Sequence, residues 1–136
     1  MNDAIKKITQ SIEEIGYHYE YSDDKNGIVL VLESKEIGIT LRYLIHTMEN
    51  TDNSYTITIF TSELFKLKAE NENKMLRMIS RLNHDYGFVV YCLDEDNYIR
   101  VKFNTFETLN NIGSNVVGYL NVVIDSIGKN YDNLMK

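Results

Sequence analysis

A cysteine nucleophile is the first chemistry that the residue types suggest, because the segment 81–103 holds both His84 and Cys92, the only cysteine of the chain. Such a nucleophile needs a histidine within hydrogen-bond reach and a neighbour that lowers the thiol pKa from about 8.5. His84 and Cys92 fall on different predicted elements, so the sequence does not imply their contact. Cys92 shares its predicted strand face with Phe88 and Val90, and apolar surroundings raise a thiol pKa. The pattern favours an inert thiol.

A calcium loop is the second candidate, over residues 22–33 with the sequence SDDKNGIVLVLE. Calcium loops place oxygen ligands at their first, third, fifth and twelfth positions and glycine at the sixth. Asp24, Asn26, Gly27 and Glu33 meet four of these five requirements, but the first position is serine. Both flanks have strand character, whereas a calcium loop joins two helices. We therefore expect a β-hairpin turn in which Asn26 and Gly27 adopt positive φ.

No other pattern in the chain is typical of a catalytic or metal site. His18, His46 and Cys92 lack the paired CxxC or HxxxH spacing of structural zinc sites. Neither GxGxxG nor a lysine-bearing phosphate loop occurs. The acidic segment 94–97 is typical of a solvated turn, because acidic and amide side chains bond their own backbone there. The sequence predicts no enzyme activity, no metal and no cofactor.

Composition and charge narrow the choice of partners. The chain carries 14 basic and 20 acidic side chains, for a formal net charge of -6. Because this charge repels phosphate backbones and the basic residues are dispersed, the sequence argues against nucleic acid as a partner. The longest apolar run, 28–32, is far shorter than the ~20 residues that cross a bilayer, and no signal-peptide core follows the N-terminus. We expect a cytoplasmic protein without membrane association, in agreement with its single cysteine.

The elements that must position these residues follow from apolar spacing. A first helix has isoleucines at positions 5, 8, 12 and 15, with Asn2 or Asp3 as its cap and Gly16 at its end. Strands are predicted over residues 17–22, 28–32, 37–48 and 55–60. In the first of these strands, the alternating tyrosines are predicted to form the inner face. Residues 62–70 are ambiguous.

The second half returns to helical spacing near Asn71, and this helix stops at Asn83. Strands follow over 88–93 and 98–103, then a loop, then a closing helix with apolar positions 112, 116, 120, 123, 127 and 131. The order is α-β-β-β-β-α-β-β-α without a linker or repeat. We interpret residues 1–136 as a single α+β domain, with an antiparallel sheet of about six strands covered by helices.

The C-terminal half resembles the YbjN domain family, whose members are described as candidate bacterial sensory transduction regulators. In that family a helix ends in a leucine-asparagine pair, here Leu82–Asn83, and a glycine-aromatic strand follows, here Gly87–Phe88. An acidic turn comes next, here Asp94–Asn97, and then a strand with alternating basic residues, here Arg100 and Lys102. Family members usually carry prolines before the middle helix and after the last strand, but this chain has no proline.

This resemblance covers residues 60–134 and the first half only in outline. It implies a fold similar to type III secretion chaperones, the holding of other polypeptides and no catalytic residues. We therefore expect a non-enzymatic protein-interaction or regulatory domain. A secretion-chaperone-like protein that binds an extended client segment and a small-molecule sensor are the alternatives.

Self-association is a further expectation, because an open antiparallel sheet has two edges with unpaired backbone groups and natural proteins cover or pair such edges. A symmetric homodimer would protect them. The strand 98–103 points Ile99, Val101 and Phe103 to one face and Tyr98, Arg100 and Lys102 to the other. These last three are the candidate protein-contact residues, for an acidic surface of a twin or of a client.

Overall fold

The computed structural model describes residues 1–35, 37–85 and 89–135, the last three of them by backbone alone. Within these ranges the chain forms three α-helices and seven strands. Their bounds are α1 (Asp3–Glu14), β1 (Glu20–Tyr21), β2 (Gly27–Ser34), β3 (Ile39–Glu49), β4 (Tyr55–Thr61), β5 (Phe65–Lys66), α2 (Glu72–Asp85), β6 (Val89–Leu93), β7 (Tyr98–Glu107) and α3 (Ile112–Met135). The predicted α+β class and element order are confirmed. The short strand β5 arises in the segment that the sequence left ambiguous, before a 3-10 turn at Ala69–Asn71.

All seven described strands form one antiparallel sheet. Its order is β1-β2-β3-β4-β7-β6, and β5 continues the line of β4 along the same side of β7. The strand β7 is therefore internal, paired with β4 and β5 on one side and β6 on the other. No described helix is both long and apolar enough to cross a membrane.

The three helices cover one face of the sheet, which we call the inner face. The buried side chains of α1 (Ile5, Ile8, Ile12), α2 (Met75, Ile79, Leu82) and α3 (Ile112, Val116, Leu120, Val123, Ile127) form one cluster with the alternating inward side chains of the strands. The predicted isoleucine stripe is thus confirmed for α1, except that Ile15 lies just beyond the helix and is exposed. Asn2 caps α1 by accepting a hydrogen bond from the Ile5 backbone N–H at 2.9 Å.

The first hairpin differs from its prediction in two respects. Only Glu20–Tyr21 of the predicted strand 17–22 pairs with β2, and Tyr21 is exposed at the sheet edge, whereas Tyr17 and Tyr19 pack against the core. Positive φ occurs at Lys25 (58°) rather than at Asn26 or Gly27. Ser22 closes the turn by donating its backbone N–H to the Gly27 carbonyl at 2.9 Å. The turn therefore has four residues between its closing pair, not two.

Gly27 has a different role from the one predicted. It is buried at the start of β2, where a β-carbon would lie 3.0 Å from the carbonyl oxygen of Ile45 and 3.1 Å from Ser22 Oγ. Glycine is favoured there by this close approach and not by a positive φ.

The strand β7 is longer than predicted, because residues 104–107 continue it beside β4 instead of forming a loop. Thr56 faces Phe106 and Tyr55 faces Glu107 in this extension. Glu107 turns to the inner face and accepts a hydrogen bond from the hydroxyl of Tyr119 in α3. The extension adds Asn104 and Phe106 to the opposite face of the sheet.

Helix α2 closes the sheet edge formed by β6. The side-chain amide of Asn83 accepts a hydrogen bond from the Tyr91 backbone N–H at 2.7 Å and donates one to the Tyr91 carbonyl at 3.0 Å. One side chain thus replaces the neighbouring strand at this residue. The Leu82–Asn83 pair has a physical role in the structure, since Leu82 is buried in the core and Asn83 caps the edge. Gly87 and Phe88 lie outside the described residues.

Candidate protein-contact surface

The face of the sheet opposite the helices is the candidate functional surface, and we call it the outer face. In the strands it consists of Glu20, Val29, Val31, Glu33, Thr40, Arg42, Leu44, His46, Met48, Thr56, Thr58, Phe60, Lys66, Val90, Cys92, Tyr98, Arg100, Lys102, Asn104 and Phe106. Its residues are every second one of each strand, because successive strand side chains point to opposite faces. No described helix packs on it.

Tyr98, Arg100 and Lys102 all lie on this outer face, as the alternation predicted. Their neighbours Ile99, Val101 and Phe103 are buried in the core. The strand that carries them is internal, so its backbone is already paired and only its side chains are available for contact.

Arg100 is held by three groups on the outer face. Its Nε donates to Asp94 Oδ2 at 2.9 Å and its Nη2 to Glu63 Oε1 at 2.7 Å. Its guanidinium carbon lies 5.6 Å from the ring centroid of Phe60, within the range of a cation–π contact. These contacts fix the guanidinium plane over the sheet.

Asp94 connects Arg100 to the turn before β7. Its Oδ1 accepts hydrogen bonds from the backbone N–H groups of Asp96 and Tyr98, each at 2.9 Å. The Tyr98 N–H first, and then Arg100, lower the pKa of this carboxyl. The acidic turn is therefore a backbone-capping turn, as predicted, and its carboxylate also orients Arg100.

Two further cations differ from Arg100 in their surroundings. Within the described ranges, neither Arg42 nor Lys102 has an ion-pair partner. Lys102 lies between Phe60 and Val90 across the strands, and Arg42 lies opposite Val31. The ammonium of Lys66 is 5.6 Å from the ring centroid of Tyr98.

Apolar side chains occupy much of the remaining outer face. Val29, Leu44 and Phe60 face one another across β2, β3 and β4, and the row continues through Lys102 to Val90. At one end of the face Phe106 is 73% exposed and Met48 is 55% exposed, with Thr56 between them. The outer face is thus an apolar row with cations beside it and a second apolar patch at one end.

The thiol and the histidine of the first sequence candidate do not meet. Cys92 is half-buried on the outer face, where its Sγ contacts the Arg100 carbonyl oxygen at 3.6 Å. His84 is exposed in the last turn of α2, on the side of the helices. Burial raises the pKa of the Cys92 thiol, although Lys102 and Arg100 act in the opposite direction. This agrees with the interpretation of an inert thiol.

The residues of the calcium candidate lie on a hairpin, as predicted. Asp24 accepts hydrogen bonds from the Asn26 N–H at 2.9 Å and the Ser22 hydroxyl at 2.7 Å, and it lies 3.1 Å from His46 Nε2. Glu33 is six residues beyond Gly27 in the same strand, which places it about 20 Å along β2. The described residues include no group of three His, Cys, Asp or Glu side chains that could hold a metal ion.

Sequence reasoning missed the apolar part of the outer face. The sequence pattern predicts a loop after residue 103, whereas Phe106 lies in β7. The β-branched Thr105 and aromatic Phe106 were the available signal for a longer strand. Phe60 and Leu44 were assigned to strands, but their exposure depends on which face the helices cover.

Comparisons with known proteins identify the fold. No family model matches the chain, and no curated protein matches it in sequence. Among solved structures, YbjN from E. coli, described as a candidate transcription regulator, is 12% identical, with 95% of this chain and 92% of that chain covered and a TM-score of 0.56. The Yersinia pestis type III secretion chaperone SycH, solved in complex with a fragment of YscM2, is 13% identical, with coverages of 90% and 94% and a TM-score of 0.48. The likeness to YbjN shows that the two chains have similar folds.

Proposed function

We propose that this chain is a non-enzymatic protein-interaction domain that binds a protein partner with its outer face. The observation that carries the proposal is the set of large apolar side chains left uncovered on that face. Phe106, Met48 and Val31 are more than half exposed, although the chain has three helices that bury the inner face. The YbjN-like pattern adds the expectation of a regulatory role for this binding.

The apolar groups lie close enough to act together. Met48 and Phe106 are on strands directly either side of β4, which puts their backbones about 10 Å apart. Val29, Leu44 and Phe60 form a continuous row on neighbouring strands. Single exposed apolar residues are common on protein surfaces, but two apolar groups on one uncovered sheet face, separated only by the row His46, Thr58 and Asn104, are typical of an interaction site.

Charge indicates the chemistry of the partner. The outer-face strand residues include four cations, Arg42, Lys66, Arg100 and Lys102, and two acids, Glu20 and Glu33. The chain as a whole has six more acidic than basic side chains. Asp94 and Glu63 are already paired with Arg100, so the outer-face cations Arg42 and Lys102, which have no ion-pair partner among the described residues, can complement a partner surface that combines acidic and apolar side chains.

The rigidity of the surface favours binding. Arg100 is held by Asp94, Glu63 and Phe60 before any partner arrives, so little side-chain freedom remains to be lost on association. The other contact side chains project from paired strands rather than from loops. Tyr98, Arg100 and Lys102 are accordingly the central contacts of the proposed site.

Site-specific photo-crosslinking in the native host tests the proposal. A photoreactive amino acid at position 106 is expected to capture one discrete polypeptide, because this residue lies in the proposed contact. The matched control is position 122, where an exposed valine lies on α3. Lys102→Glu should weaken the crosslink from position 106, because it removes a cation from the face. Equal crosslinking from both positions, or none from position 106, would contradict the proposal.

A further inference from the structure

We propose that two copies of this chain form a homodimer by antiparallel pairing of their β2 edges about a twofold axis at Leu32. This pairing would use the β2 end of the outer face, at Val31, Glu33 and Arg42, whereas Phe106, Met48 and Lys102 lie farther from this part of β2.

The hydrogen-bond pattern of β2 identifies the free backbone groups. The Asn26 carbonyl accepts from Thr47 of β3 and the Ser34 carbonyl accepts from Gly38, whereas the Gly27 carbonyl accepts from Ser22 on the other side. In an antiparallel ladder these directions alternate along the strand. The N–H and C=O groups of Val31 and Glu33 therefore point away from β3. The strand β1 pairs with β2 only at Ile28 and Val29, so it does not reach them.

Space for another strand lies beside these groups. A groove of about 460 Å³ runs where β1 leaves the sheet, and Tyr19, Tyr21, Val29, Val31 and Arg42 line it together with His18 and Glu20. Val31 is 57% exposed at this groove. An incoming extended backbone would pair with the free groups and cover Val31.

The second edge of the sheet differs. There Asn83 already occupies the backbone N–H and carbonyl of Tyr91, and α2 packs beside β6. Among the described strands of more than two residues, β2 has an unpaired stretch without such a cap, whereas β1 and β5 are only two residues long. Pairing is therefore expected at β2.

A twofold axis at Leu32 gives the register that pairs the free backbone groups of both edges. It places Val31 opposite Glu33 of the second copy, and Glu33 opposite the second Val31, so all four outward residues pair. The two Leu32 side chains meet on the inner face, beside the core that Leu32 already contacts. An axis at Glu33 would set two carboxylates opposite each other. An axis at Val31 would need Val29, which already pairs with Glu20.

Charge complementarity favours a second copy over an unrelated strand. Arg42 lies directly opposite Val31 on the outer face and has no ion-pair partner within the described part of the chain. In the dimer, Glu33 of the second copy lies on the far side of Val31, so Arg42 and this carboxylate can meet across it. The symmetry creates two such pairs. A strand of an unrelated protein would need an acidic side chain directly opposite Val31 to make the same contact with Arg42.

Sedimentation equilibrium over a range of protein concentrations tests the dimer. The wild type should approach twice the 15.9 kDa chain mass. Glu33→Arg and Arg42→Glu should each raise the dimer dissociation constant by about tenfold or more, because each leaves two like-charged pairs at the axis. The double variant Glu33→Arg/Arg42→Glu should restore the wild-type constant. Rescue of this kind distinguishes a contact between copies from a loss of folding.

Two controls make the outcomes decisive. Val31→Pro removes an N–H that points away from β3, so it should abolish pairing while circular dichroism stays unchanged. Lys102→Glu lies on the same outer face but far from the edge, and it should leave the constant unchanged. A monomeric wild type overturns the inference, as does a dimer that is insensitive to the Glu33 and Arg42 variants. Crosslinking from position 106 tests the proposed function. Its outcome is therefore independent of whether the β2 dimer forms.

Discussion

Gly113 in α3 lies so close to Lys7 in α1 that a β-carbon on the glycine would be 2.8 Å from the Lys7 carbonyl oxygen. The two helices cross here over the inner face. We expect Gly113→Ala to lower the free energy of unfolding by about 1–3 kcal/mol, because backbone must move to admit the methyl group. Gly118 in the same helix is exposed with nothing within 4 Å, so Gly118→Ala should raise it by about 1 kcal/mol. Urea denaturation of both variants measures the difference, and effects of the same sign would contradict the close approach of the two helices.

The hairpin offers a similar contrast between Gly27 and Lys25. Gly27→Val should destabilise the fold by more than about 1 kcal/mol, because the side chain would press on the Ile45 carbonyl oxygen. Lys25 has φ of 58°, where glycine costs less than a residue with a β-carbon, so Lys25→Gly should be neutral or stabilising. Thermal unfolding compares the two. If Lys25→Gly is the more damaging variant, the four-residue turn with positive φ at Lys25 is wrong.

The Asn83 amide should be sensitive to small chemical changes. Asn83→Asp keeps the acceptor for the Tyr91 N–H but loses the donor to the Tyr91 carbonyl, whereas Asn83→Ala loses both. We expect a loss of about 1–3 kcal/mol for alanine and a smaller loss for aspartate. Chemical denaturation gives both values. Hydrogen exchange at the Tyr91 amide should accelerate in the alanine variant, and an unchanged rate would argue against the edge cap.

Asp24 should contribute to stability above about pH 4 and lose this contribution in acid. Its pKa is lowered from 3.8 to about 2, first by the Asn26 N–H, then by Ser22 and His46. Because the folded pKa is below the unfolded one, the stabilisation is complete above about pH 4 and is lost as the pH falls towards 2. Asp24→Asn should therefore flatten the stability profile between about pH 4 and about pH 2. Asp23→Asn, in the same exposed turn, is the control, and parallel profiles for both variants would exclude this role.

Cys92 should react slowly with thiol reagents in the folded protein. Burial raises its pKa, so less thiolate is present at neutral pH than in the unfolded chain. We expect labelling by a disulfide reagent to be about tenfold or more slower than in denaturant, and to accelerate as the pH rises. His84→Ala should leave the rate unchanged, since the two side chains lie on different sides of the sheet. Stoichiometric labelling within seconds would refute the prediction.

The helices were the most predictable part of this chain. The isoleucines of α1 and the apolar positions of α3 repeat with a helical period, because one side of each helix is buried against the sheet. The long strand β3 was predictable for the same reason, because its inner residues Leu41, Tyr43 and Ile45 alternate with exposed or half-buried ones.

The outer face and the edges could not be predicted in the same way. Phe106 is apolar but lies on the uncovered face. Hydrophobicity alone would therefore place its side chain in the core. The Asn83–Tyr91 contact joins residues eight positions apart on different elements and depends on how α2 docks. The three contact candidates Tyr98, Arg100 and Lys102 were placed on the correct face by alternation alone, but the Asp94–Arg100–Glu63 arrangement requires tertiary structure.

The cap on β6 limits how far the proposed dimer could grow by adding further copies edge to edge. A chain with two receptive edges can add copies at both ends and grow into an open ribbon, the first step towards fibres. In the proposed dimer both β2 edges would be paired, and Asn83 would still occupy the backbone N–H and carbonyl of Tyr91 at the β6 edge of each copy. For the proposed dimer we therefore expect growth by strand pairing to stop at two subunits, with the Asn83 amide as the barrier at β6.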